Sequence, residues 1–440
     1  MNFGKKPEKW GGIECTINRV GNNYFDQLAK NGHFGRPDDL EKIAELGIRK
    51  LRYPILWEYT APDSPQEIDY KKIPEFINKI FSLGIEPIAG LLHHGSGPSY
   101  TDLLDPDFPM LFSDYAYETA KKFPEIKYYT PINEPLTTAR FSCLYGHWYP
   151  HKTDDRSFCK ALINQCKATV MAMKRIREIN PEAELIQTED MGFTKSTPEL
   201  KYQADFDNNR RWLSFDLLCG KVSESHEMLD YFSNSGISKK DLNFFTNDPC
   251  PPAIIGINYY VTSERFLDHE IYKYPENVVG GNGSDDYADI EIVRTNISMK
   301  GLSAILTEAS ERYGIPIAIT EAHLACNVDE QIKWLAEVWN TVCTLQESGI
   351  GIEAVTFWSL LGTYNWCNLC TIDEEIYERG IFDCRDGNLK ETKLVTFVKD
   401  LHNGKKILNP MTEGWWKEDK RIQYFVSDES SCILADQEYF

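Results

Sequence analysis

Two acids stand at the ends of runs that are otherwise apolar. Gly314-Ile-Pro-Ile-Ala-Ile-Thr-Glu321-Ala-His323 is small, β-branched and apolar up to a single carboxylate, which reads as a buried strand delivering Glu321 at its C-terminal tip. Ile126-Lys-Tyr-Tyr-Thr-Pro-Ile-Asn133-Glu134-Pro135 repeats the arrangement, with the proline stopping the strand just past an Asn-Glu pair. Cleavage of a glycosidic bond with retention needs such a pair, a nucleophile and an acid/base about 5–5.5 Å apart. In that chemistry one of Glu321 and Glu134 is the nucleophile and the other the acid and then the base. Arg52 and Tyr260 close two further strand-like runs and are expected to hold Glu321 ionised by charge and hydrogen bonding. A plain Arg52–Glu321 ion pair that ties strands together is the alternative reading.

Eight strand candidates carry these residues: Trp10–Thr16, Ile48–Ile55, Ile85–His94, Ile126–Glu134, Glu184–Glu189, Ala253–Tyr260, Gly314–Glu321 and Gly351–Trp358. Helical spacing falls between most of them, over 36–47, 70–83, 113–123, 157–179, 206–218, 225–232, 300–313 and 329–347. Gly47, Gly84, Gly314 and Gly349 each stand where a helix gives way to a strand, as a left-handed cap requires. Such alternation implies parallel strands with right-handed crossovers. The strands end on Glu14, Arg52, His93, Glu134, Glu189, Asn258 with Tyr260, Glu321 and Trp358. Convergence of polar and aromatic ends on one face is how a (β/α)8 TIM barrel assembles a site. A doubly wound sheet is the rival, but Gly11-Gly12 lies within a strand and is no phosphate-binding turn.

The barrel is expected to be a single α/β domain over residues 1–405. Residues 406–440 form a tail packing on it through Trp415 and Trp416, or partly disordered. The stretch 261–298, with Gly280-Gly-Asn-Gly-Ser-Asp-Asp, reads as a loop excursion over the active face, partly mobile. A formal charge of −20, from 47 basic and 67 acidic residues, opposes binding to nucleic acid or anionic lipid. No run approaches a membrane span and the N-terminal stretch lacks a signal-peptide core, so a cytoplasmic protein is expected. The 12 cysteines are scattered and read as reduced, packed thiols. Cys367-x-x-Cys370 has ligand-like spacing but no second pair to complete a metal site.

Six ordered stretches resemble glycoside hydrolase family 1, the β-glucosidase family, in a divergent bacterial branch. They are Leu46-Gly-Ile-Arg-Lys-Leu-Arg52-Tyr, Gly84-Ile-Glu-Pro through His93, Tyr129-Thr-Pro-Ile-Asn133-Glu134-Pro, Ile255-Gly-Ile-Asn258-Tyr-Tyr260, Ile319-Thr-Glu321 and Phe357-Trp358-Ser-Leu-Leu. The resemblance runs from about Trp10 to about Leu401. It implies that Glu321 is the nucleophile and Glu134 the acid/base, that His93 and Asn258 contact sugar hydroxyls or orient Glu321, that Asn133 meets the 2-hydroxyl, and that Trp358 lies under the sugar ring. Glu14, Glu189, Asn365 and Trp366 are further substrate-binding candidates. Two departures stand out. Glu321-Ala322-His323 replaces Glu-Asn-Gly, and Asn365 replaces an acid that holds two outer hydroxyls.

The expected activity is therefore a retaining β-glycosidase, β-glucosidase-like, acting through a covalent glycosyl-enzyme intermediate without metal or organic cofactor. A transglycosidase using the same pair, and a non-catalytic carbohydrate-binding protein on the same scaffold, are the alternatives. The expected partner is a carbohydrate substrate. Homo-oligomerisation is left open.

Overall fold

The computed structural model describes residues 7–401 and 413–418. Eight parallel strands close into a barrel: β1 (Glu8–Gly12), β2 (Lys50–Pro54), β3 (Glu86–His93), β4 (Tyr128–Asn133), β5 (Glu184–Asp190), β6 (Ile254–Asn258), β7 (Ile317–Ala322) and β8 (Ile352–Phe357). Each pairs with its sequence neighbours, and β8 returns to β1 with Trp10 beside Thr356 and Gly11 beside Phe357. This is the (β/α)8 TIM barrel that the alternation implied. The first strand stops earlier than its sequence suggests. Gly12 lies so close under Trp358 that a Cβ there would fall 2.5 Å from the indole, and the chain then leaves the barrel, carrying Glu14 beyond the strand end.

The outer layer contains α1 (Asp39–Glu45), α2 (Ile73–Ser82), α3 (Phe108–Lys122), α4 (Asp155–Ile179), α5 (Lys201–Arg210), α6 (Leu213–Leu218), α7 (Leu229–Asn234), α8 (Lys239–Asn247), α9 (Leu302–Tyr313), α10 (Val328–Glu347) and α11 (Lys393–Asp400). Gly47, Gly84, Gly314 and Gly349 take φ of 75°, 71°, 63° and 90°, the left-handed conformation their positions called for. Asp154 caps α4 by accepting the Ser157 N–H, and Asn327 caps α10 by accepting that of Glu330. A continuous apolar core fills the space between strands and helices. Trp10, Ile88, Ile186, Ile254, Ala318 and Ala354 plug the barrel interior below the site.

The stretch 261–298 is more ordered than a loop. Arg265–Asp268, Val279–Gly281 and Asp286–Glu291 form strands, joined by Thr194–Ser196 from the β5 connection into a four-stranded sheet. Phe266, Ala288, Ile290 and Ile292 give it an apolar centre of its own. The segment between 206 and 218, expected as one helix, breaks into α5 and α6 at Arg211-Trp212. Helix α8, with its Ser238–Asp241 capping box, was not anticipated. Trp416 is buried, stands edge-on to Trp334 at 5.3 Å and donates to Glu337 at 3.1 Å, so this piece of the tail rests on α10. The rest of the stretch 406–440 lies outside the described residues. No helix among the described residues is long and apolar enough to cross a membrane.

Candidate active site

Barrel register assembles the site. Gly12 pairs with Arg52, His93 with Asn133, Asp190 with Asn258, and Glu321 with Asn258 across a bulge between Ile319 and Glu321. Glu134 follows β4 and takes φ 45°, ψ 61°, a left-handed turn between the strand and a short helix begun by Pro135. That conformation costs a non-glycine residue about 1 kcal/mol or more. The surroundings fix it. The Glu134 N–H donates to Thr188 O (3.3 Å), and the helix Pro135–Ala139 is held from below by Glu189.

Glu321 is 2% exposed and receives two side-chain donors. Arg52 Nη1 bonds Oε1 at 2.7 Å, and the Tyr260 hydroxyl bonds Oε2. Arg52 also donates to Thr320 O (2.8 Å) and, through Nη2, to Asn133 Oδ1 (2.5 Å), so its fork is fixed by three residues on the two strands β7 and β4. Burial, and then the charges of Glu321 and Glu134, push the Tyr260 phenol well above its ordinary value, which keeps its proton available to Glu321.

Glu134 has the opposite environment. It is 4% exposed, and its Oε1 accepts from Asn258 Nδ2. Burial, followed by the charges of Glu321, Asp190 and Glu189, holds its carboxyl well above the usual range. Asn258 therefore orients Glu134 rather than Glu321, and its own Oδ1 is fixed by the Thr320 hydroxyl at 2.6 Å.

Asn133 is saturated: its Oδ1 accepts from Arg52 and from Thr188 Oγ1 (2.7 Å), while its Nδ2 lies 3.3 Å from Nε2 of both His93 and His94. Burial drives both histidines down, His94 to about 3, with Arg52 adding to the effect. Both are neutral rings, and Asn133 donates to them. Trp358 is buried with His93 stacked parallel to it at 5.5 Å and the Arg52 guanidinium 4.7 Å from its ring centre.

The other candidates divide. Glu14 belongs to the site: it is 2% exposed, accepts the Thr16 N–H at 2.8 Å, and is pushed up to about 7, chiefly by burial. The charges of Glu321 and Arg52 also reach it. Glu189 faces elsewhere. It accepts the N–H groups of Leu136 (2.9 Å) and Thr137 (3.1 Å) and the hydroxyls of Thr137 (3.0 Å) and Ser214 (2.7 Å). Asn365 is likewise occupied within its own loop, accepting from Glu374 N and Ile376 N and donating to Asp373. Trp366 stands edge-on to His94 at 5.6 Å and to Trp148 at 6.3 Å.

The loop 362–378 roofs the site, and three other segments strap it down. Trp148 Nε1 bonds Leu369 O (2.7 Å), Asn18 Nδ2 bonds Cys370 O (3.2 Å), and Gln27 bonds Tyr364 through both its amide groups. Cys370 is buried against Gln27 and Cys367 is exposed. Among the described residues no three His, Cys, Asp or Glu side chains are grouped to hold a metal. His323, two residues past Glu321, lies 3.5 Å from Glu378 of the roof.

Three groups at the site were absent from the sequence candidates. His94, Nε2 to Glu134 Oε2 3.8 Å, turns inward because the chain takes φ 55° just past β3. Strand alternation alone would have pointed it away from His93. Asp190 accepts from Ser263 Oγ at 2.5 Å and contributes to the anionic field at Glu134. Thr188 fixes Asn133, and an alternating strand pattern gives no signal for that.

A family model described as Glycosyl hydrolase family 1 matches residues 2–371. A 6-phospho-β-galactosidase of Staphylococcus aureus strain JH9 is 24% identical over 422 residues, covering 81% of this chain and 87% of its own length. Among solved structures, a β-glucosidase from Thermotoga maritima in complex with deoxynojirimycin superposes with a TM-score of 0.68 at 16% identity, covering 90% of this chain and 98% of that one. The family 1 β-glucosidase from the same organism gives 0.70 at 16% identity with the same coverage.

Proposed function

The chain belongs to glycosyl hydrolase family 1 and is a glycoside hydrolase, and from that premise we propose that it works by double displacement with Glu321 as nucleophile and Glu134 as acid/base. Glu321 attacks the anomeric carbon as the bond to the leaving oxygen breaks, and Glu134 gives that oxygen its proton. Water then loses a proton to Glu134 and attacks the same carbon, breaking the bond to Glu321 and releasing the sugar with its configuration retained.

The supporting observation is the contrast between the two carboxyl environments. Glu321 receives an arginine and a tyrosine hydroxyl, donors suited to an anionic acceptor, whereas burial and the charges of nearby acids raise the Glu134 carboxyl and favour its protonated form. Asn133 and Asn258 are positioning residues, fixing Arg52 and Glu134 respectively. Glu14, His93, Trp358 and Trp366 are the groups that meet the sugar.

The Staphylococcus relatives act, by name, on 6-phosphogalactosides. Here the roof 362–378 holds four acids and neither lysine nor arginine, which supports a glycone without phosphate. The test is incubation with 2-fluoro glycosides of several sugars, read by intact and peptide mass. A single adduct on Glu321 is expected. A folded protein that forms no adduct, yet binds sugars as well as its Glu321→Ala variant does, would favour the binding-protein alternative.

A further inference from the structure

We infer that the sugar taken by this site carries a protonated amine, which Glu14 receives; the inference deepens the glycosidase reading and rests on it for the location of the sugar. A retaining mechanism uses two carboxyls, and this site buries a third. Glu14 is close enough to Glu321 and Arg52 for their charges to act on it, yet among the described residues no cation is left to pair with it. Arg52 is committed to Glu321, Thr320 O and Asn133. Lys30 lies outside and pairs with Asp373 at 2.6 Å. Among the described residues, Thr16 is the one that hydrogen-bonds the Glu14 carboxyl.

A second observation on the same wall points the same way. Asn18 is fully buried, donates Nδ2 to Cys370 O, and leaves Oδ1 without a partner among the described residues. The Cys370 thiol is itself within reach of the Glu14 charge. A buried carboxyl and a buried amide oxygen, both short of donors, flank the roof segment. An ammonium group supplies three N–H donors and the charge that compensates a buried carboxylate. A neutral hydroxyl supplies one donor and no charge. Left alone, Glu14 is raised by burial to about 7, and a cation beside it is what keeps it ionised. The position that would grip outer hydroxyls in the family, Asn365, has its groups occupied within its own loop, so recognition passes to this wall.

The experiment compares two amines, D-glucosamine and 6-amino-6-deoxy-D-glucose, with D-glucose, by calorimetric titration of the full chain and of Glu14→Gln. Hydrolysis of the matching 4-nitrophenyl β-glycosides is measured in parallel. At least one amine is expected to bind about 10- to 100-fold tighter than glucose, as a charge-assisted hydrogen bond allows, and Glu14→Gln is expected to erase most of that ratio. Equal affinity for amines and glucose in the unaltered protein overturns the inference, even where hydrolysis proceeds. Loss of turnover on neutral glycosides in Glu14→Gln without any amine preference also overturns it, in favour of a carboxylate that stabilises the cationic transition state. Amine-selective binding without turnover of any glycoside supports the inference and counts against the proposed reaction instead. Should Glu14→Gln fail to fold, the amine-to-glucose ratio of the unaltered protein still decides.

Discussion

Single hydrogen bonds separate the environments of two chemically identical side chains here. Glu321 and Glu134 are both glutamates at strand ends and both nearly inaccessible, but the first is given Arg52 and Tyr260 while the second is given Asn258 and three nearby acids. Removing the Tyr260 hydroxyl tests this division. Tyr260→Phe leaves Glu321 and Arg52 paired and removes one donor to the proposed nucleophile. A turnover number lower by about 10- to 100-fold is expected, the scale of one hydrogen bond to a charged group, with the melting temperature held and KM little changed. A variant with unaltered kcat would assign Tyr260 to packing. The raised carboxyl of Glu134 makes a related pH statement. The proposed mechanism requires the acid form, so kcat/KM is expected to fall on the alkaline side as Glu134 loses its proton, and Glu134→Gln is expected to remove that limb along with most of the activity toward poor leaving groups.

At the scale of elements, the proposed acid/base Glu134 is only as well placed as the short helix Pro135–Ala139 that follows it. Glu189, rising from β5, accepts the first two free N–H groups of that helix together with the Ser214 hydroxyl of α6, so one carboxyl joins three elements. Glu189→Ala leaves those donors buried without a partner. Destabilisation of about 2–5 kcal/mol is expected from two or more unsatisfied groups, with kcat falling alongside stability, unlike Tyr260→Phe. Denaturant unfolding of the two variants together checks the contrast. Elements were the most legible level of this sequence. Glycine stops at Gly47, Gly84, Gly314 and Gly349, each met by a β-branched run, reveal helix-to-strand passages because both signals are local. The sheet built from 194–196 and 261–298 was hidden because its strands are three to six residues long and one comes from a different connection. Residue types at the site were legible too, since acids at the ends of apolar runs are conspicuous. Their partners were not. Nothing local announces that Asn365 is consumed by its own loop, or that Glu189 supports a helix, because both facts depend on which backbone groups the fold leaves unpaired.

At the scale of the whole molecule, the protein buries more acids than its mechanism uses, and this sets how its stability changes with pH. Glu58 is the clearest case. It follows β2, is 6% exposed, and accepts the Gly97 N–H at 3.2 Å through Oε1, while Oε2 has no partner among the described residues. Gly95 is packed so closely that a Cβ there would fall 1.8 Å from the carboxylate. Burial pushes Glu58 up to about 8, against an ordinary value of 4.5. The folded state therefore keeps a proton up to about pH 8 that the unfolded chain releases near 4.5. Between these values the native state binds more protons, so this contribution to stability is fully present below 4.5 and is lost as pH rises through 8. A shift of this size corresponds to roughly 5 kcal/mol. Glu14 and Glu189 act in the same direction up to about 7. His94, held down to about 3, acts oppositely, losing stability as pH falls below the ordinary histidine value of 6.5. The two trends offset each other in mildly acidic solution, and above 6.5 only the acids remain. Melting temperature is therefore expected to fall from pH 6.5 to 8.5. Glu58→Gln, which keeps an acceptor for the Gly97 N–H without an ionisable group, is expected to flatten that fall. Its advantage over the unaltered protein should grow steadily between pH 5 and 8.5 in buffers of matched ionic strength. Parallel melting curves for the two proteins across that range would mean that Glu58 ionises in the fold as it does in water.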